Sequence, residues 1–430
     1  MKMYDIIVKK RNGKSLTEDE IRYLVNGYVK GEIPDYQMSA FLMTLYFQNM
    51  NEDEIFYLTD AMLESGNTLD WSGVEGITVD KHSTGGVGDK ISIISGPVAA
   101  AVGCKVVKMS GRGLGFTGGT IDKLTAIPGF NTDISLAEFQ RNVKTVGFSL
   151  ISQRDDIVKA DKLIYALRDV TATVDIIPLI ASSIMSKKLA SNADAIVLDI
   201  KYGDGALMKL LKNAHNLGDV MKNIAERKGK KVQLVYSDMS EPLGMEIGNR
   251  NEIIEAIEVL KGNIKGRLFE ESIEIASRMI CLCNLSKNAE EGRKLAEETI
   301  ENGMALKKFK DFIKAQGGNQ EVVEDYDIMK NPKYSRDVRG KQLSEIDDVI
   351  EKISAEKIGI ASVKTGAGRS AKDDLIDFSA GVTLRKKTGD SFEKNDIIAT
   401  LWGNDPEKLK DAESYVIDAF KTGKFKNSFD

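Results

Sequence analysis

The sequence predicts an α/β protein built from a helical lobe, a mainly parallel α/β lobe and a C-terminal α+β module. From about Gly76, short β-branched runs alternate with helical segments, the pattern of parallel strands joined by helices. Before that point the chain carries only helical periodicity with capping signals. Beyond Tyr334 it changes to short alternating stretches separated by Gly389-Asp390 and Gly403-Asn404-Asp405 turns.

At the N-terminus, Thr17 and Glu20 form a capping-box pattern, and Ile21, Leu24, Val25, Tyr28 and Val29 then fall on one helical face. Gly31 and Pro34 end that helix. Periodicity resumes from Asp35 to Phe47, and Asn51 to Glu54 reads as a second capping box ahead of Ile55, Leu58 and Met62, with Gly66 as the stop. Three short helices cannot enclose a large core, so they are expected to pack on later helices or on a second copy. The predicted strands are Ile77 to Val79, Lys105 to Lys108, Phe148 to Ile151, Ala195 to Ile200 and Lys231 to Tyr236. Helical pattern from Ala160 to Ala190 interrupts this series, and this insert is expected to rejoin the N-terminal helices and face the α/β lobe across a cleft. Helices continue to about Ala315, and Gln316 opens a polar run. Gly381-Val382-Thr383-Leu384 and Ile397-Ile398-Ala399-Thr400-Leu401 are the strand signals of the last module. The expected divisions are 1–67 and 159–190 for the helical lobe, 70–157 and 192–330 for the α/β lobe, and 331–430 for the module.

A chain of 430 residues exceeds what one core usually organises. With 42% hydrophobic and 29% charged residues it has the composition of an ordinary globular protein. A formal charge of −5 argues against broad contact with nucleic acid or an acidic membrane, so any anion must be met locally. The start has no signal-peptide pattern and no later apolar run is long enough to span a bilayer, which makes a cytoplasmic protein the expectation. Cys104, Cys281 and Cys283 make an odd count without a zinc pattern and read as reduced packing residues. Of the two histidines, His215 lies in a helical segment and His82 in a glycine-rich one.

That segment, Lys81-His82-Ser83-Thr84-Gly85-Gly86-Val87-Gly88-Asp89-Lys90, has an echo in Lys108-Met109-Ser110-Gly111-Arg112-Gly113-Leu114-Gly115-Phe116-Thr117-Gly118-Gly119-Thr120. Each follows a predicted strand and leads into a helix, so bare N–H groups and a helix N-terminus point at whatever lies beyond the strand ends. Lysine and hydroxyl side chains add donors, and phosphate is the anion they suit. A single such loop is as readily a mere tight turn; two at successive strand ends weaken that reading. Gly113-x-Gly115-x-x-Gly118 lacks the acidic residue a dinucleotide site needs, and Gly88-Asp89-Lys90-Ile91 lacks the Gly-Lys-Ser/Thr of a nucleoside triphosphate loop. Ser183 and Lys187 share a helical face. Taken alone, Lys187 beside Lys188 reads as a solvated face, and Arg168 as a surface ion-pair residue.

Together, Asp80 to Asp89, Ser110 to Leu124 and Arg168 to Lys187 resemble the pyrimidine-nucleoside and thymidine phosphorylase family, and the similarity extends to Gly366-Ala367-Gly368-Arg369. The resemblance implies reversible phosphorolysis of uridine, thymidine or deoxyuridine to free base and an α-pentose 1-phosphate, a pentosyl transfer serving nucleoside salvage. It implies that Lys81, Ser83, Ser92, Lys108, Ser110 and Thr120 hold phosphate, that Arg168, Ser183 and Lys187 hold the base, and that His82 lies near the base carbonyl. Charge builds on the departing base, so Arg168 and Lys187 would act most strongly in the transition state. A homodimer through the helical lobe is implied, with no organic cofactor. Some members bind a monovalent cation such as K+, and the matching positions here are Gly88, Lys90, Leu243, Glu246 and Glu255. A lysine among cation ligands is electrostatically adverse, so this reading requires the Lys90 side chain to point away. Thr125, Tyr202 and Leu207 depart from the usual pattern, and Leu207 is placed at the edge of the base pocket. Lys187→Ala is expected to slow turnover and Lys188→Ala to do little. The alternatives are a related phosphoribosyltransferase and a nucleoside-binding protein without turnover.

Overall fold

The computed structural model describes residues 1–111, 113, 115–154, 156–344, 348–369 and 374–423, so Arg112 and Leu114 of the second glycine stretch lie outside the described residues. The chain opens with α1 (Met3–Arg11), α2 (Glu18–Val29), α3 (Asp35–Gln48) and α4 (Glu52–Glu64). Both capping boxes form, on Thr17 with Glu20 and on Asn51 with Glu54. The first helix has no counterpart in the sequence reading, because its inward face is Met3, Ile6 and a lysine. That lysine, Lys10, is buried against Glu54 at 2.7 Å, so α1 is held by an ion pair where an apolar stripe would normally announce it.

Next come β1 (Thr78–Ser83), α5 (Ile91–Val102), β2 (Lys105–Ser110), α6 (Thr120–Thr125), α7 (Leu136–Val146), β3 (Phe148–Ser152), α8 (Lys159–Val170), α9 (Ile177–Ala190), β4 (Ala195–Tyr202), α10 (Leu211–Arg227) and β5 (Lys231–Asp238). The five strands pair in the order β3-β2-β1-β4-β5, every pairing parallel. The strand β1 runs past its predicted end at Val79 to Ser83, because Asp80 to Ser83 pair with Ile196 to Asp199. Lys81, His82 and Ser83 therefore belong to a strand and point alternately to its two faces.

Those faces carry different cores. Val107, Met109, Ile196, Leu198 and Ile200 join the core shared with the N-terminal helices, α8 and α9. Val79, Val106, Ala195 and Val197 join the opposite core, built with α5 and helices further along the chain. The 160–190 stretch forms two helices, α8 and α9, which pack into one core with the N-terminal helices. They are separated by a turn in which Ala172 has φ 54°, a backbone conformation that ends a helix for most residues.

After β5 the chain forms β6 (Glu246–Gly248), α11 (Arg250–Leu260), α12 (Arg267–Leu282), α13 (Ala289–Glu301) and α14 (Met304–Ala315). The last module contains β7 (Tyr334–Arg339), β8 (Asp348–Ile353), α15 (Ala355–Ser362), β9 (Gly381–Leu384), β10 (Ser391–Phe392), β11 (Ile397–Gly403), α16 (Pro406–Ala419) and β12 (Phe420–Gly423). Its two antiparallel sheets have the orders β6-β9-β11-β7 and β10-β8-β12. The edge strand β6 comes from the middle of the chain, so the module is stitched to the α/β lobe through main-chain hydrogen bonds. The three cysteines are free thiols, with Cys104 and Cys283 buried. Among the described residues no helix is long and apolar enough to cross a membrane.

Candidate active site

A cleft of about 690 Å³ opens over the carboxyl ends of β1 and β2, where ligands bind in sheets of this kind. Ser83, Lys108, Ser110, Thr120 and Ser92 line it from the sheet side, and Arg168, Ser183 and Lys187 line it from α8 and α9. His82 and Leu207 also line it. Strand alternation explains the division. Ser83 and Lys108 share the sheet face of Val79 and Val106, whereas His82 shares the face of Asp80, toward the helical lobe.

Lys81 is the exception among the phosphate residues. It is fully buried beneath the loop, 2.9 Å from Asp199 and 4.0 Å from Asp89. Asp199 also meets Lys201 at 3.0 Å. Asp89 in turn accepts a close hydrogen bond from Ser83 Oγ. Burial alone would raise the Asp89 carboxyl, but the charges of Lys81, Lys201 and Lys123 hold it far below its ordinary range. A buried, charge-balanced floor therefore supports the first glycine loop. At Gly88 the backbone has φ 78° and lies against the Leu243 carbonyl, leaving no room for a Cβ.

The second loop is held from two sides. Gly113 N–H donates to Asp122 at 2.9 Å, and Arg369 of the C-terminal module donates to the same carboxylate at 3.3 Å. Thr125 donates its hydroxyl within its own helix, to Ile121 O at 2.8 Å.

Electrostatically the cleft is cationic. Burial and the neighbouring charge of Lys188 pull Lys108 down to about 7. His82 is held well below the ordinary histidine value by burial and by Lys188, Lys108, Lys81 and Lys187, so it is neutral at pH 7. Its Nε2 is buried without a protein partner and is left for a ligand. A neutral imidazole in this place offers a hydrogen bond rather than a titrating proton.

Arg168 is not a surface residue. It is buried, and its guanidinium donates to Thr173 O at 3.1 Å, Leu179 O at 3.1 Å and Val174 O at 2.7 Å, clasping the turn between α8 and α9. Lys187 forms a close ion pair with Asp161 and donates to Ser183 Oγ at 2.9 Å. Lys188 does not face solvent either. It donates to Asp80 at 2.8 Å and to Met109 O at 2.9 Å, both from the sheet. The solvated-face expectation fails because α9 is buried nearly all round, so its polar side chains must find partners within the protein.

Asp161, Asp80 and Asp199 position this machinery, and their pairs with Lys187, Lys188 and Lys81 form only through tertiary packing, although Asp199 also meets Lys201 two residues along the same strand. The five positions assigned to a monovalent cation converge behind the first glycine loop, away from the cleft. There the Lys90 side chain points inward: Nζ donates to Glu246 O at 2.8 Å, to Leu243 O at 3.2 Å and, closely, to the Glu255 carboxylate. The requirement that it point away is not met.

Comparison with known proteins matches residues 75–306 to the family model described as glycosyl transferase family, a/b domain, and residues 4–66 to its helical bundle domain. Residues 349–422 match the pyrimidine nucleoside phosphorylase C-terminal domain. The chain is 49% identical over 404 residues to the pyrimidine-nucleoside phosphorylase of Bacillus subtilis, covering 94% of this chain and 92% of that protein. It is 48% identical to the protein of the same name from Geobacillus stearothermophilus, with the same coverage. Among solved structures, anthranilate phosphoribosyltransferase from Thermus thermophilus aligns with a TM-score of 0.58 at 20% identity, over 72% of this chain and 98% of that one, which is a likeness of fold.

Proposed function

The chain belongs to the glycosyl transferase family as a pyrimidine-nucleoside phosphorylase, and from that premise we propose how its residues divide the work. The reaction is reversible phosphorolysis of a pyrimidine nucleoside: an oxygen of inorganic phosphate bonds to the anomeric carbon as the bond to the base nitrogen breaks. The electron pair of that bond leaves with the base and spreads onto its carbonyl oxygens. The products are an α-pentose 1-phosphate and a base anion that takes a proton.

Ser83, Ser92, Lys108, Ser110 and Thr120 hold the phosphate from the sheet side, and Lys81 adds positive charge from beneath the loop. Arg168, Ser183 and Lys187 hold the base from α8 and α9. Lys187 meets charge that is greater in the transition state than in bound substrate, so its contact lowers the barrier rather than only tightening binding. His82, neutral and with Nε2 free, donates to or accepts from the base between the two sets. The observation that carries this reading is that both sets line one cleft.

A homodimer through the helical lobe is supported by exposed Tyr4 on α1 and exposed Tyr36 and Phe47 on α3. Light scattering at micromolar concentration reads this directly, and a monomer would refute it. The activity itself is tested by incubating the protein with uridine, thymidine or deoxyuridine with and without phosphate and following free base. Absence of release, or release independent of phosphate, would remove the reading, and the three rates side by side give the preference.

A further inference from the structure

The pocket behind the first glycine loop has the oxygens of a cation site, and its centre is taken. Lys90 is the residue just before α5, and its side chain is fully buried. An ammonium has three donors, and this one uses them on three oxygens: the carbonyls of Leu243 and Glu246 and the carboxylate of Glu255. Glu255 is itself fixed by the Met245 and Glu246 N–H groups, at 2.7 and 3.2 Å. A second lysine completes the charge balance: Lys123 lies 2.7 Å from Glu252, which is 3.8 Å from Lys90. A potassium ion seated among the same oxygens would coincide with Nζ and face its charge, so these residues do not fit a resident K+.

We propose that the Lys90 ammonium is this protein's own cation, tethered to the chain at the positions where the sequence resemblance implied a monovalent ion drawn from solution. What it does follows from what it joins. Lys90 ends the first glycine loop, Leu243 lies just before β6 and Glu246 is its first residue, and β6 pairs with β9 of the C-terminal module. Lys123, from the helix after the second loop, donates to Asp89 O at 2.8 Å, so both loops are referred to the same cluster. Lys90 is thus a positioning residue for the phosphate loops. Burial works against its charge, but Glu255 and Glu252 outweigh burial and keep it protonated. Tethering removes the entropy of capturing an ion and makes the site indifferent to the salt around it.

The proposal rests on the phosphorolysis reading only for its kinetic arm. Wild-type protein is assayed for base release and thermal unfolding in KCl and in choline chloride at equal ionic strength, free of other monovalent metals. Rate and Tm are expected to be the same in both. A severalfold higher rate, or a clearly higher Tm, in KCl would overturn the proposal. Lys90→Thr opens the site to an ion. In choline it should raise the phosphate KM by about tenfold and lower Tm by roughly 5 °C or more, with KCl restoring part of both. Lys90→Met fills the space without charge and should show the losses without the rescue. A Lys90→Thr protein that gains no more from KCl than the wild type would also overturn it. If neither variant folds, the wild-type comparison decides alone. Absence of base release in every salt would sink the phosphorolysis reading, while the Tm arm would still decide this one.

Discussion

The ammonium of Lys188 lies 2.8 Å from a carboxylate oxygen of Asp80, joining α9 of the helical lobe to the central strand of the sheet. The pair is buried, with side chains 5% and 0% exposed, whereas Lys187 one residue earlier is 22% exposed. Adjacent lysines therefore have separable roles. Lys187→Ala should lower kcat by about a hundredfold or more, and because it also leaves the buried Asp161 without its lysine it should lower Tm as well, by less than Lys188→Ala since the Lys187 end of that pair is partly exposed. Lys188→Ala should leave Asp80 buried and unpaired, at a cost of about 3–5 kcal/mol, seen as a large fall in Tm. Thermal unfolding and steady-state rates on both variants check this, and a Lys188→Ala protein as stable as the wild type would contradict the buried pair.

His82 should not titrate in the range usual for histidine. Burial and four surrounding lysines depress its folded-state pKa. Between that value and the unfolded value of about 6.5, the unfolded chain binds the extra proton, so His82 makes the protein less stable as pH falls below about 6.5. His82→Asn should flatten that part of the stability profile. An NMR titration in which the His82 ring protons move with a midpoint near 6.5 would refute the assignment.

Lys108 is the group poised to change charge with its ligand. Free, it loses its proton as pH rises through about 7. Phosphate favours the protonated form, so affinity for phosphate should fall above that pH and binding at pH 8 should take up protons. Calorimetry in two buffers of different ionisation enthalpy measures the uptake. Lys108→Met should abolish it and raise the phosphate KM by about tenfold or more.

Because the residues proposed to hold phosphate belong to the α/β lobe and those proposed to hold the base to α8 and α9, productive binding should draw the lobes together. Small-angle scattering is expected to give a smaller radius of gyration with phosphate and a nucleoside analogue together than with neither. An unchanged radius would count against closure.

Much of this molecule is legible locally. The capping boxes at Thr17 and Asn51, the five parallel strands and the two glycine turns were visible because each depends on a few consecutive residues. Glycine-rich turns after strands also pointed to an anion before any distance was known. The helix α1 was missed because a lysine, paired with a glutamate 44 residues away, stands where the pattern calls for an apolar side chain.

By itself, the sequence determined most of the secondary structure and the chemistry of the donors in the two glycine loops, which are properties of short stretches, while the two groups of residues around the site came from its resemblance to a family. Tertiary structure alone decided what the long charged side chains do: Lys188 reaches a carboxylate 108 residues back, Arg168 clasps three carbonyls, and Lys90 turns into a cage of oxygens. The reason is physical. A lysine or arginine stem is apolar and flexible, so its charge goes wherever packing offers desolvated oxygens, and those come from segments that only the fold brings near.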